Sequence, residues 1–390
     1  MKSFNICNIY TAAWCLYFLQ GSLYAKGGPI GRLLILFVLL LSVWYFVNTA
    51  LRTPRPAYLR ALNILVILFS IYGIISILTG TVAATANGTE RSGADFLKQY
   101  YSSILPIYAY YSFARDKLIN EKWLYRWSLI FFLVAVAAFF ARRNEMLLEA
   151  MEMGSQQTEF TNNFAYLFVS LIPIIALVSG KKYYHWLLWA VVLVFAVFSF
   201  KRGAMLISAI SFLFYLFVSF GSYSRRKNSY VVASLLVIIA VYFAIEYLFQ
   251  NSDYFLIRLE NTQEGSLSQR DVLFADAWRV FINSNPFNMV FGHGANMTAS
   301  LIGNGAHNDW LELLVNQGLF TIVFFIYYWV TLYKTWRTTK DENGIRTALG
   351  LFLVVTFLKT LFSFSIGDMN FFEASVVGYC LVNTKNYKSN

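Results

Sequence analysis

His307-Asn308-Asp309-Trp310-Leu311-Glu312-Leu313-Leu314-Val315-Asn316-Gln317-Gly318-Leu319-Phe320-Thr321 stands where a long polar segment gives way to an apolar run that continues to about residue 333. A histidine and a cluster of polar groups therefore meet the mouth of an apolar helix. About 20 apolar residues cross the roughly 30 Å of hydrocarbon in a bilayer, so this helix reads as a membrane span. The rest of the chain repeats the pattern.

Of 390 residues, 58% are hydrophobic and 13% charged, and the mean hydropathy is +0.54. A soluble domain carries about 25% charged and about 45–50% apolar residues. Both departures point to a polytopic, all-α membrane protein. We read about twelve spans, at 4–24, 30–50, 60–79, 96–114, 123–141, 163–180, 185–200, 203–220, 229–249, 309–333, 346–363 and 367–383. The first apolar run, from Phe4, reads as a span and not as a cleavable leader. No fixed-period repeat or low-complexity linker divides the chain, so residues 1–390 are expected to form one membrane domain. Cys7, Cys15 and Cys380 lie in apolar runs, which argues against a disulfide framework or a zinc site.

The formal net charge is +11. In a soluble protein this would suggest nucleic acid. Here the basic residues collect in alternate short loops: Arg52, Arg55 and Arg60; Arg115, Lys117, Lys122 and Arg126; Lys181 and Lys182; Arg225, Arg226 and Lys227; Lys334, Arg337, Lys340 and Arg346. That is the positive-inside signal, and it replaces a nucleic-acid reading. Lys2, Lys385 and Lys388 then put both termini in the cytoplasm. The opposite face holds a mixed-charge loop at 80–95, a second at 142–162, and the segment 250–308. The last is the longest loop, and long loops in compact chains are often functional. Within it, Ser268 through Ile282 has helical apolar spacing.

Several residues on that face carry chemical potential. Lys201 and Arg202 break the loop charge pattern. They open a helix whose free N–H groups suit an anion, and Gly203 allows close approach of a phosphate. Snorkelling to lipid headgroups is the alternative for both side chains. Arg270 heads the amphipathic piece of the long loop and is otherwise a solvated surface arginine. His307 is placed for proton abstraction from a hydroxyl, or is simply a polar helix end. Asp309 with Glu312 reads as a capping box. His307, Leu311, Leu314 and Gly318 share one face if helical geometry extends back that far, and Gly318 then admits a neighbouring helix. Lys359, Asp368 and Glu373 either line a cavity or pair with one another. His293 reads as structural. No metal-ligand cluster, nucleotide loop or serine elbow is visible, so no metal or cofactor is expected.

Together these motifs resemble the O-antigen ligase and O-antigen polymerase superfamily. His307-Asn308, nine residues, Gly318, two residues and Thr321 is similar to its histidine signature. Ser199-Phe200-Lys201-Arg202-Gly203 is similar to its Ser-x-Ser-Arg-Gly turn, with Lys201 in place of the second serine. Arg270, Trp278, Pro286 and Gly292-His293-Gly294 resemble the pattern before the histidine, and Asn162-Asn163 before Pro173 also fits. The resemblance implies a GT-C-type membrane glycosyltransferase fold and a glycan donor on undecaprenyl diphosphate. It implies that Arg202 and Arg270, with Lys201, bind the diphosphate, that His307 activates the acceptor hydroxyl and that Asn308 supports it. The expected protein is a multi-pass enzyme of the bacterial inner membrane with its site at the extracytoplasmic face. Its acceptor is a second glycan, for a polymerase, or lipid A–core, for a ligase. A protein-directed oligosaccharyltransferase is a third reading. A flippase or transporter, which would show inverted repeats, is the alternative from another class.

Overall fold

The computed structural model describes residues 5–23, 28–51, 56–86, 88–152, 160–179, 184–222, 227–263, 270–340 and 342–384. Lys2, Arg52, Arg55, Glu159, Lys181, Lys182, Arg225, Arg226, Ser268, Lys385 and Lys388 lie outside them. The chain runs α1 (Ile6–Leu23), α2 (Pro29–Leu51), α3 (Ala57–Thr79), β1 (Val82–Ala84), β2 (Glu90–Ser92), α4 (Gly93–Ile104), α5 (Pro106–Arg115), α6 (Glu121–Glu152), α7 (Ala165–Ser179), α8 (His185–Phe198), α9 (Arg202–Ser222) and α10 (Lys227–Asn251). It continues through α11 (Asp253–Gln263), α12 (Arg270–Ile282), α13 (Pro286–Phe291), α14 (Met297–Leu301), α15 (Asp309–Thr338), α16 (Ile345–Phe362) and α17 (Phe371–Asn383). The expected all-α membrane class is met, apart from one antiparallel hairpin pairing β1 with β2.

Seven helices among the described residues are long and apolar enough to cross a membrane: α2, α3, α6, α9, α10, α15 and α16. Three shorter apolar helices, α7, α8 and α17, accompany them. The shortness has a packing reason. Residues 165–178 of α7 are all buried, as are residues 106–114 of α5 and most of α17. Helices that are apolar all round belong inside a bundle, where protein replaces lipid around them. Their outer neighbours show the converse. Leu33, Leu40 and Trp44 of α2 and Leu236 and Phe243 of α10 stand exposed, as lipid-facing side chains must.

The stretch read as one span at 96–114 is two helices that break at Leu105, where Pro106 takes the first position of α5. Proline fits there because the first N–H of a helix has no intrahelical partner. The 80–95 loop contains the hairpin, which docks onto α14. Ala84 N–H donates to Ser300 Oγ at 2.8 Å and Ala86 N–H to the Gly303 carbonyl at 2.8 Å. The described residues of the 250–308 segment include the helices α11 to α14.

Five elements bring the motifs together. The N-termini of α7, α9 and α15, the C-terminus of α16 and the hairpin after α3 gather at one end of the bundle. Each of these helices reaches one of the Lys/Arg-rich loops at its other end.

Candidate active site

The Ser199-Phe200-Lys201 turn is held from beneath by Asn162. Asn162 N–H donates to the Ser199 carbonyl at 2.8 Å, and its side-chain amide donates to the Phe139 carbonyl at 3.1 Å. The Ser199 hydroxyl oxygen accepts the Lys201 N–H at 3.1 Å. Phe200 has φ +53°, a left-handed conformation that bulky residues seldom adopt. The turn thereby delivers Lys201 to the cap position and Arg202 to the first position of α9. A Cβ on Gly203 would lie 2.6 Å from the Tyr166 hydroxyl and 3.4 Å from Phe362, so only glycine lets α9 start against α7 and the end of α16.

Arg270 is the first residue of α12, as its spacing predicts, and is half-buried. Its guanidinium donates to the Phe362 carbonyl at 2.5 Å. That carbonyl belongs to the last turn of α16, where a cation meets the negative end of the helix dipole.

His307 lies two residues before α15 with φ +52°. It is not helical, so the face shared with Leu311, Leu314 and Gly318 does not form. The helix cap is also one residue earlier than the capping-box reading places it. Asn308 is the N-cap, and its side-chain oxygen accepts from Trp310 N–H at 3.0 Å and Leu311 N–H at 3.2 Å. Released from capping, the two acids brace loops. Asp309 accepts the N–H groups of Ser365 at 2.8 Å and Ile366 at 3.0 Å. Glu312 accepts from Ala306 N–H at 2.6 Å and from the Asn316 amide at 3.1 Å. Just before Ser365 stand Phe362, the last residue of α16, whose carbonyl binds Arg270, and Phe364, whose ring lies 5.5 Å from the His307 ring.

Gly318 also differs from expectation. It has φ +70° and ψ −175° inside α15 and kinks the helix. The neighbour it admits is the last turn of the short helix α13, at Val290, with the Gly292 nitrogen that follows. The kink frees carbonyls that would otherwise stay in the helix ladder. His293 N–H takes the Val315 carbonyl at 3.0 Å, Gly294 N–H takes Asn316 at 2.9 Å, and the Tyr72 hydroxyl takes Gln317 at 3.1 Å. His293 is structural, as expected: its ring nitrogens meet Ser284 Oγ at 2.8 Å and the Asn288 amide at 3.3 Å.

The electrostatics join these pieces. The His307 imidazole is pushed down to about 4, first by burial, then by the positive charges of Arg270, Lys201 and Arg91. At neutral pH it is uncharged and offers a lone pair. Arg91, on β2, was not singled out in the sequence, where nothing links a loop arginine to a distant histidine. Lys201 and Lys359 flank the Tyr166 ring, with Nζ to centroid distances of 5.9 and 5.8 Å. Lys359 pairs with Asp368, donating to its carbonyl at 2.7 Å with Oδ2 at 3.5 Å, and Glu373 closes a capping box with Asn370. Among the described residues no group of three or more His, Cys, Asp or Glu side chains is placed to hold a metal ion. A neutral imidazole among cations can take a proton from a hydroxyl while an anion is held beside it.

Residues 186–326 match the family model described as O-antigen ligase. No curated protein matches the chain. The matched stretch runs from α8 past the kink of α15 and contains Lys201, Arg202, Arg270, His307, Asn308 and Gly318. The match supports the resemblance to the O-antigen ligase and polymerase superfamily, and with it a membrane protein of that type that transfers glycan. It does not separate polymerase from ligase.

Proposed function

We propose that the chain is a membrane glycosyltransferase that polymerises oligosaccharide repeat units carried on undecaprenyl diphosphate. In this reading it crosses the bacterial inner membrane about twelve times, keeps both termini in the cytoplasm and works at the extracytoplasmic face. The observation that carries the proposal is that Arg270 and His307 meet at the end of α16, the first on the Phe362 carbonyl and the second on the Phe364 ring, with Gly203 at the start of α9 packed against Phe362.

Transfer breaks the bond between the anomeric carbon and the diphosphate, and the diphosphate leaves with the electron pair. Arg202, Arg270 and Lys201, with the N-terminus of α9, hold the charge that develops there. Guanidinium forks match phosphate oxygens in pairs. The acceptor hydroxyl oxygen forms the new bond to the anomeric carbon from the opposite side, and His307 takes its proton. The anomeric configuration inverts. Charge stabilisation by side chains and backbone makes the step independent of metal in this reading.

In a second reading, which the same family match accommodates equally, the acceptor is lipid A–core and the enzyme is a ligase. The glycolipid ladder of a deletion strain tests both. A single repeat unit on the core marks a polymerase. Long polymer left on the lipid carrier, with none on the core, marks a ligase. Normal glycan from an Arg270→Ala strain with normal protein levels would defeat either one.

A further inference from the structure

Tyr166, whose ring Lys201 Nζ approaches to 5.9 Å, lines a cavity of about 300 Å³ with more polar than apolar surface. Its walls include Arg142 from α6, Asn163 and Tyr166 from the start of α7, Lys359 and Asp368 from the end of α16 and the loop after it, and Phe18 from α1. We propose that this cavity is the saccharide subsite, seating neutral, hydroxyl-rich sugar rings of the lipid-linked glycan beside the diphosphate. The inference rests on the glycosyltransfer reading above.

Three observations carry it. The first is the wall chemistry. The Asn163 amide and the exposed Asp368 carboxylate, with the remaining donors of Lys359, which also bonds the Asp368 carbonyl, and of Arg142, which pairs with Glu145, give the mixture that sugar hydroxyls need, since each hydroxyl both gives and accepts a hydrogen bond. The rings of Tyr166 and Phe18 supply apolar faces for the C–H side of a sugar. A volume near 300 Å³ is at the small end of ligand sites.

The second is an unpartnered group. Tyr166 is 7% exposed. Its hydroxyl stands near Ser363 yet makes no hydrogen bond of normal geometry. Buried hydroxyls are nearly always bonded. This one points at the start of α9, beside Gly203, where the diphosphate would join the sugar seated in the cavity that Tyr166 also lines, so the donor gains a ready partner at that junction.

The third is the contrast with the adjoining cavity. A second space, of about 320 Å³, shares Met146 and lies against Asn162 and Phe200. Phe139, Phe195 and Phe198 dominate its lining. An apolar chain loses nothing by entering that space, whereas entering the polar one would strip water from the Asp368 carboxylate, which is 64% exposed, without replacing it. Of the two, the polar cavity suits the glycan.

The test uses the full-length protein in nanodiscs and two probes. One is the repeat-unit oligosaccharide freed from its lipid by mild acid. The other is undecaprenyl diphosphate without sugar. We expect wild type and Arg270→Ala to bind the oligosaccharide alike, and Asn163→Leu to weaken it about tenfold while binding of the sugar-free lipid is unchanged. Asn163→Gln, which keeps the amide, should recover most of the binding and controls for misfolding. The inference is overturned if wild type does not bind the oligosaccharide, if Asn163→Leu binds it as wild type does, or if that substitution weakens the sugar-free lipid instead. Full glycan transfer by Arg270→Ala would defeat the glycosyltransfer reading separately, whatever the oligosaccharide does.

Discussion

Gly318 in the kink of α15 and Gly292 in the loop after α13 meet backbone to backbone. A Cβ on Gly318 would reach within 2.6 Å of the Gly292 nitrogen, and one on Gly292 would run into the Asn316 carbonyl. Both have φ above +70° or at it, +70° and +74°. The joint carries the His293 and Gly294 hydrogen bonds and so ties the 292–308 loop to the helix behind His307. Gly318→Ala should cost on the order of 1–3 kcal/mol for the backbone conformation alone, with the clash in addition. We expect a lower unfolding midpoint in detergent and loss of glycan product. An unchanged midpoint would show that the kink does not hold the loop.

Asp309 gives a cleaner separation of bracing from chemistry. Its carboxylate accepts two buried N–H groups, from Ser365 and Ile366. Asp309→Ala orphans both, at about 1–3 kcal/mol each. Asp309→Asn keeps an acceptor oxygen and should stay near wild type. Thermal unfolding of the two variants in parallel checks this. Equal stability of Ala and wild type would remove the bracing role.

The acid limb of activity follows from His307. Its folded pKa, about 4, lies below the ordinary 6.5, so between those values the unfolded chain binds the proton and the folded one does not. Stability from this group is therefore complete above about pH 6.5 and is lost as pH falls toward 4. Turnover should hold through pH 6 and fall only as the imidazole itself protonates. A rate that halves near pH 6.5 in wild type would mean that the base is some other group, or that His307 is not held beside these cations.

Much of this was legible in the chain and some was not, for reasons that differ by residue. Arg270 at a helix start and the Lys201-Arg202-Gly203 turn follow from local spacing. Asn308 and Asp309 were read one place out of register because either type caps a helix, and only the position of Ser365 decides between them. Gly318 and the 292–294 glycines were visible as glycines, yet their pairing is a contact between segments far apart in sequence. Arg91 gave no signal at all, since a hairpin brings it in. The shorter helices α7, α8 and α17 are apolar enough to read as spans, and length alone sets them apart.

Lys201, the departure from the family turn, supplies the sharpest test. The turn's bond to Ser199 comes from the Lys201 backbone N–H, which a serine at that position keeps. Lys201→Ser should therefore keep the fold. Burial sets most of the His307 shift and three cations add to it, so loss of one should raise that pKa above about 4 by part of the difference and carry the acid limb of turnover with it. A charge-assisted hydrogen bond is worth about 1.5–3 kcal/mol, and 1.4 kcal/mol is a factor of ten. Loss of one such bond to the diphosphate should raise KM for the lipid-linked donor about tenfold or more. Titration of the histidine ring by NMR, alongside donor kinetics, measures both effects in one preparation. If His307 titrates as in wild type while KM rises, Lys201 binds the donor without tuning the base. If neither moves, the extra cation has no part in the site.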